Sequence, residues 1–154
     1  LEANSWNWSD WLPFWTEEEA EQYIFEDKYL DFFGPDCQPI ESSVEDWTKL
    51  KEWAKENGHE LVLVSAQREH CEEPTTDWLD KYGFDFEEIH YTKNKHLIDV
   101  DVLIDDSPEK IIDFNTKSVN NGKAICFKQP WNQHCQDFGL SIDRLSDVIE
   151  QVFG

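Results

Sequence analysis

The sequence of 154 residues contains no methionine, and only 13 lysines and arginines stand against 34 aspartates and glutamates. The resulting net charge of −21 leaves no basic face, which argues against direct, non-specific binding to nucleic acid phosphates. Plain solubility, a salt-adapted host, or an acidic surface that imitates nucleic acid all remain compatible with it. Long apolar runs are also missing: nothing approaches the ~20 residues that span a membrane, and no charged-then-apolar leader opens the chain. The four cysteines, Cys37, Cys71, Cys126 and Cys135, make no C-x-x-C pair and no zinc-type spacing. Cys126 lies in an apolar run and reads as a plain core residue. These absences lead to the expectation of a reduced, cytoplasmic protein that engages no membrane. There is no internal repeat, low-complexity segment or Gly-rich phosphate loop. Without any methionine, the natural start is expected elsewhere than at Leu1.

What is present alternates between two periodicities. Trp6, Trp8, Trp11 and Trp15 crowd the beginning, where they would pack a small helical subdomain or line a pocket. Thr16 and Glu19 have capping-box spacing, which predicts a helix to about Leu30, broken at Gly34-Pro35. Ser42 and Glu45 repeat the signal before a helix with Val44, Trp47, Leu50 and Ala54 on one face, closed at Gly58. An apolar strand follows, Leu61 to Ser65, then a polar loop from Gln67 to Glu73. Pro74 is expected to start a helix running through Tyr82 to Gly83. Glu88 to Tyr91 is a weaker strand. Val102 to Ile104 has the continuous apolar character of a strand buried on both faces. Ser107 as N-cap and Pro108 at the first helical position predict a helix to about Val119. Lys123 to Phe127 is another buried strand, Gln129-Pro130-Trp131-Asn132 a loop, and Ser141 onward a helix carrying Ile142, Leu145, Ile149 and Val152. Strands alternating with helices predict an α/β fold, a Rossmann-like three-layer arrangement around a parallel sheet. Residues 1–41 would form an N-terminal helical cap segment and residues 42–154 the core.

The chemistry gathers at strand ends. Asp105 and Asp106 terminate a central strand, where open α/β sheets place their ligands. Two adjacent carboxylates repel unless a cation or proton lies between them, and Mg²⁺, held by one or two carboxylates plus phosphate and water, fits that need. Alternatively they form a helix-capping turn with one solvated acid. Ser65 ends the first strand with a hydroxyl, and Lys95 supplies a cation ahead of the aspartates. A phosphate among the three would receive a hydrogen bond, a point charge and a metal contact, the ingredients of phosphoryl transfer. Arg68 could approach a substrate phosphate or sugar, or form a surface salt bridge. Trp131 could stack on a base or plug the rim. His70, His90, His96 and His134 show no ligand spacing.

In this order and spacing, Leu61 to Ser65, Lys95 and Val102 to Asp106 resemble the haloacid dehalogenase superfamily of phosphatases. Asp101-Val102-Leu103-Ile104-Asp105-Asp106-Ser107-Pro108 and Gln129-Pro130-Trp131-Asn132 look like the acidic motif and a loop of its branch of 5′(3′)-deoxyribonucleotidases and related nucleotidases, many of them from bacteria and their phages. The resemblance covers roughly residues 40 to 135. It implies Mg²⁺-dependent hydrolysis of a nucleotide monophosphate, with Ser65 and Lys95 on the phosphate, Lys93 as the alternative lysine, and Asp105 and Asp106 on the metal.

One part of that pattern is missing. The superfamily's nucleophile is the first aspartate of an Asp-x-Asp-Gly motif after a central strand, and the sequence holds no such motif. Glu26, Asp27 and Asp31 lie in a helical pattern and read as cap residues. By the resemblance, the strand and its nucleophile would precede the cap and so lie upstream of Leu1; a sheet lacking its central strand leaves two unpaired edges in the core, which favours such an upstream segment or another element filling the slot. Without the nucleophile, the aspartyl-phosphate mechanism cannot run. The alternative is a non-catalytic, acidic binding protein that engages a basic partner or mimics nucleic acid. A plain phosphate- or nucleotide-sensing module built on the same residues is a third reading.

Overall fold

The computed structural model describes residues 7, 10, 12–134, 137 and 139–154; the expected contributions of Trp6, Trp8 and Trp11 fall outside them. Helix α1 (Glu17–Gln22) begins with the expected capping box: the Glu19 N–H donates to Thr16 Oγ1 and the Thr16 N–H to the Glu19 carboxylate. The single helix expected to Leu30 is instead divided. A π-helical turn, Tyr23–Asp27, follows α1 directly, and α2 (Tyr29–Phe33) is a separate short helix. Aromatic packing shapes this segment, with Trp15 edge-on to Tyr23 and Phe25 stacked on Phe33.

The long helix α3 (Ser43–Asn57) starts where expected and ends at Gly58, whose φ of 72° is the left-handed cap that glycine adopts without strain. Its N-terminus corrects the expected second capping box. Ser42 itself lies in the left-handed region at φ 66°, and its hydroxyl donates to Asp46 rather than capping a backbone N–H. Strand β1 (Val62–Ser65) follows. Helix α4 (Glu69–Tyr82) then begins five residues earlier than Pro74 suggested, with Pro74 inside it. Strand β2 (Glu88–Tyr91), a 3₁₀ turn at Lys95–Leu97, strand β3 (Val102–Asp105), helix α5 (Pro108–Lys117) and strand β4 (Lys123–Phe127) complete the expected alternation. The final element is a second correction. Ser141–Ile142 is strand β5, because Ile142 pairs with Phe127 and is fully buried, and helix α6 starts only at Asp147 and runs to Phe153.

All strand pairs are parallel, in two groups: β1 with β2, and β3-β4-β5 in that order. The three-stranded group carries helices on both faces. Leu103, Ala124 and Cys126 point to Ile111 and Phe114 of α5, while Val102, Ile104, Ile125 and Phe127 pack on Leu50 of α3 and Val148 of α6. This division follows from the alternation of side chains along a strand. Helix α3 also reaches the other group, where Trp47 packs with Leu61, Leu63, Leu79 and Phe84. One helix thus joins the two sheets. Cys126 is disulfide-bonded rather than the plain core thiol expected, whereas Cys37 and Cys71 are free. Among the described residues, no helix is long and apolar enough to cross a membrane.

The turn after β5 is tied to α3 by a buried carboxylate. Arg144 donates to both oxygens of Asp46, at 3.1 and 2.5 Å, and the Ser146 hydroxyl adds a third bond at 3.1 Å. The Arg144 hydrogen bonds hold the Asp46 carboxyl below its ordinary pKa, against the opposing effect of burial. Asp46→Ala should lower stability by about 1–2 kcal/mol, the worth of charge-assisted bonds discounted for the half-exposed Arg144. A carboxylate depressed in the folded state stabilises above its unfolded pKa, so the deficit should be full at pH 7 and shrink as pH falls below about 4. Urea titrations of both proteins at pH 7 and pH 3.5 check this.

Candidate active site

Three sequence-predicted residues meet at the carboxyl end of β3. The strand delivers Asp105 and Asp106, and the 3₁₀ turn delivers Lys95, whose Nζ donates to Asp105 Oδ2 at 2.5 Å. The Asp105 side chain is 3 % exposed and that of Lys95 14 %, so water screens this pair little. The other Asp105 oxygen accepts the Ser107 N–H at 2.9 Å. Ser107 therefore contributes its backbone here; its side chain makes no cap to α5, although Pro108 does occupy the first turn.

Asp106 has a different environment. Burial pushes its carboxyl above the ordinary pKa, and the neighbouring Asp105 charge pushes the same way; its own backbone N–H, Lys95 and the Trp131 indole act against them. The buried indole N–H makes no well-formed hydrogen bond among the described residues, yet it favours the charged form of Asp106. The two carboxylates are thus unequal, Asp105 neutralised by a lysine and Asp106 short of positive charge. Two hard oxygen donors beside a phosphate-compatible lysine fit Mg²⁺, which takes one or two carboxylates and completes its octahedron with water and phosphate. Among the described residues no group of three or more His, Cys, Asp or Glu is arranged to hold a metal without such help.

The other expected residues are placed differently. Ser65 ends β1, with its carbonyl accepting from the Thr92 N–H at 2.8 Å. Arg68 faces the N-terminal helical segment. It pairs with Glu26 at 2.5 Å and Glu21 at 3.5 Å, and its guanidinium lies 4.7 Å above the Phe25 ring. Trp131 lies beside Asp106, in the loop after β4. Asn132, which the sequence reading passes over as a loop residue, is 2 % exposed and bonded on every side-chain polar atom. The available signal was Pro130 at the second position of a turn closed by the Asn132 N–H and Gln129 carbonyl.

Between β1 and β3 runs a cleft of about 760 Å³. Val62, Leu63 and Val64 line one side, Val102 to Asp106 the other, and Lys95 joins them. No strand of the described residues pairs with either inner edge. Ser43, which lines this cleft, has a buried hydroxyl with no partner among the described residues. The site therefore lies at one end of a slot walled by two parallel strand edges.

The family of 5′ nucleotidase, deoxy (pyrimidine), cytosolic type C proteins matches residues 2–152. The chain belongs to that family. This establishes the haloacid dehalogenase-like nucleotidase branch suggested by Ser65, Lys95 and the paired aspartates. Among curated proteins, one named "Putative nucleotidase" from Oceanobacillus iheyensis is 26% identical over 137 residues, covering 83% of this chain and 69% of the relative. A "Putative 5′(3′)-deoxyribonucleotidase" from Chlorobaculum tepidum is 28% identical over 78 residues, covering 51% of this chain and only 36% of that protein. No solved structure matches the chain.

Two variants probe the unequal carboxylates of this nucleotidase-family chain. Lys95→Met strands a buried Asp105 charge and should cost about 3 kcal/mol in a urea titration. Asp106→Asn removes a carboxylate that burial makes unfavourable when ionised, so in EDTA at pH 7 it should raise the melting temperature by about 2–4 °C. Calorimetry of the two proteins measures opposite signs from neighbouring positions.

Proposed function

We propose that the chain carries the metal- and phosphate-holding part of a Mg²⁺-dependent phosphatase acting on (deoxy)nucleoside 5′-monophosphates. The observation that carries this reading is the position of Lys95, Asp105 and Asp106 at the end of the cleft between the unpaired edges of β1 and β3. Asp105 and Asp106 hold the metal, which when bound offsets charge on the phosphoryl oxygens. Lys95 turns its ammonium from Asp105 alone to Asp105 and phosphate together. The Ser65 hydroxyl binds a second phosphate oxygen from the β1 side, and Trp131 borders the substrate. Arg68 acts in this scheme through the residues it holds, with a direct contact to substrate requiring release of Glu26. Residues 1–41 serve as the cap segment over the core of residues 42–154.

The attacking carboxylate comes from an additional strand seated in the cleft. A strand there hydrogen-bonds to β1 on one side and β3 on the other, joins the two groups into one sheet, and ends beside Asp105 and Asp106. Its Asp-x-Asp-Gly sequence supplies the nucleophile that residues 1–154 lack. Its backbone also brings acceptors into a cleft lined by Ser43, whose buried hydroxyl has no partner among the described residues.

The test is the natural reading frame upstream of Leu1 together with a Mg²⁺-dependent phosphate-release assay on a nucleotide panel. The longer chain should contain a strand followed by Asp-x-Asp-Gly and hydrolyse nucleoside monophosphates. Asp105→Asn in it should lower kcat/KM by at least about a hundredfold, the scale of losing a charge-stabilising group. An upstream sequence without the motif would sink the proposal. Salt-sensitive binding to a basic protein without phosphate release would instead favour the acidic-binding reading.

A further inference from the structure

We infer that Asn132 is a positioning residue for the metal end of the site, holding Asp106 in place through the loop that also carries Trp131. The inference rests on the reading of Asp105 and Asp106 as metal ligands. Asn132 is 2 % exposed, and its side chain joins three points of the chain. Its Nδ2 donates to the Asp106 carbonyl at 2.9 Å and to the Phe127 carbonyl at 2.8 Å, while its Oδ1 accepts the Gln129 N–H at 2.7 Å.

The first two of these bonds bridge the carboxyl ends of neighbouring strands. Up to Asp105 and Cys126, β3 and β4 are held in register by their ladder. Asp106 and Phe127 lie at the point where that ladder gives out, and the Asn132 amide continues the tie by one more rung. Both amide protons and the carbonyl oxygen are used, so no water is needed to complete the joint. The third bond closes the Gln129–Asn132 turn on itself and leaves Trp131 at a defined place next to Asp106. The Trp131 indole acts on the Asp106 carboxylate there, although its buried N–H makes no well-formed hydrogen bond among the described residues. Groups that orient a metal-binding side chain in this way typically govern metal affinity by ten- to a hundredfold.

The experiment measures Mn²⁺ binding to the natural chain, including any segment upstream of Leu1, from the electron paramagnetic resonance signal of the free ion, well below the unfolding temperature. Asn132→Ala should weaken Mn²⁺ binding by about tenfold or more. Asp46→Ala, which removes a buried carboxylate bonded to Arg144 and Ser146 and sharing no hydrogen-bond partner among the described residues with Asp105, Asp106 or Asn132, should stay within about twofold of the wild type despite its lower stability. Pro130→Gly, which loosens the turn without deleting any of its bonds, should weaken binding by about threefold. Should Asn132→Ala fail to fold, Pro130→Gly decides the matter. Wild-type affinity in the folded Asn132 variant, or in Pro130→Gly where only that variant folds, overturns the positioning role. A wild-type chain that binds no Mn²⁺ overturns the metal reading underneath it, so the two failures are distinct.

Discussion

The inner edges of β1 and β3 constrain everything else in this molecule. Backbone N–H and C=O groups are obligatory hydrogen-bonding groups, and leaving a row of them without partners in an apolar surrounding is costly. Among the described residues, two such rows face each other across a slot lined by Val62 to Val64 and Val102 to Ile104. The half-sheets on either side are nonetheless well formed, because each has its own helices, and α3 packs on both through Trp47 and Leu50. The Asp46–Arg144 bridge fixes α3 to the far end of the chain. The slot is thus held open by its surroundings, with the polar residues collected at one end.

That end is electrostatically lopsided. Asp105 receives a lysine and a backbone N–H; Asp106 receives desolvation and its neighbour's charge. A cation placed beside the pair gains most from Asp106, while Lys95 and the Ser107 N–H hold the Asp105 carboxyl in place. Adjacent acids in a sequence look equivalent. Their difference arises from a 3₁₀ turn ten residues upstream that happens to face only one of them.

This contrast explains what could be read from the sequence. From Val102 to Phe114 the structure follows the expected order of strand, acids, N-cap position, proline and helix, because each step is determined by neighbours in the chain. The same holds for Thr16 with Glu19 and for Gly58. The departures occur where distant residues decide. Pro74 is a plausible helix start, yet the helix begins at Glu69, with Cys71 buried and Arg68 held by Glu26. Ser42 has the right spacing for a capping box and instead serves Asp46, in a bridge to residues about a hundred positions later. Ile142 has helical spacing to Leu145 and Ile149, but the free edge of β4 captures it as a strand. Asn132 was invisible as anything but a turn residue, since both carbonyls it joins belong to strand ends brought together only by folding.

Arg68 also gives the molecule a lever. It stands three residues beyond Ser65, on the connection that leads from β1 into α4, and it grips Glu21, Glu26 and Phe25 in the N-terminal segment. His70 adds a second hold on the same segment through the Phe25 carbonyl and Glu26. Any displacement of the aromatic N-terminal helices therefore pulls on the turn that follows Ser65, by a path only a few bonds long. Conversely, whatever settles against Ser65 is sensed by those helices without touching them, so the N-terminal helices and the β1–α4 connection cannot move as strangers.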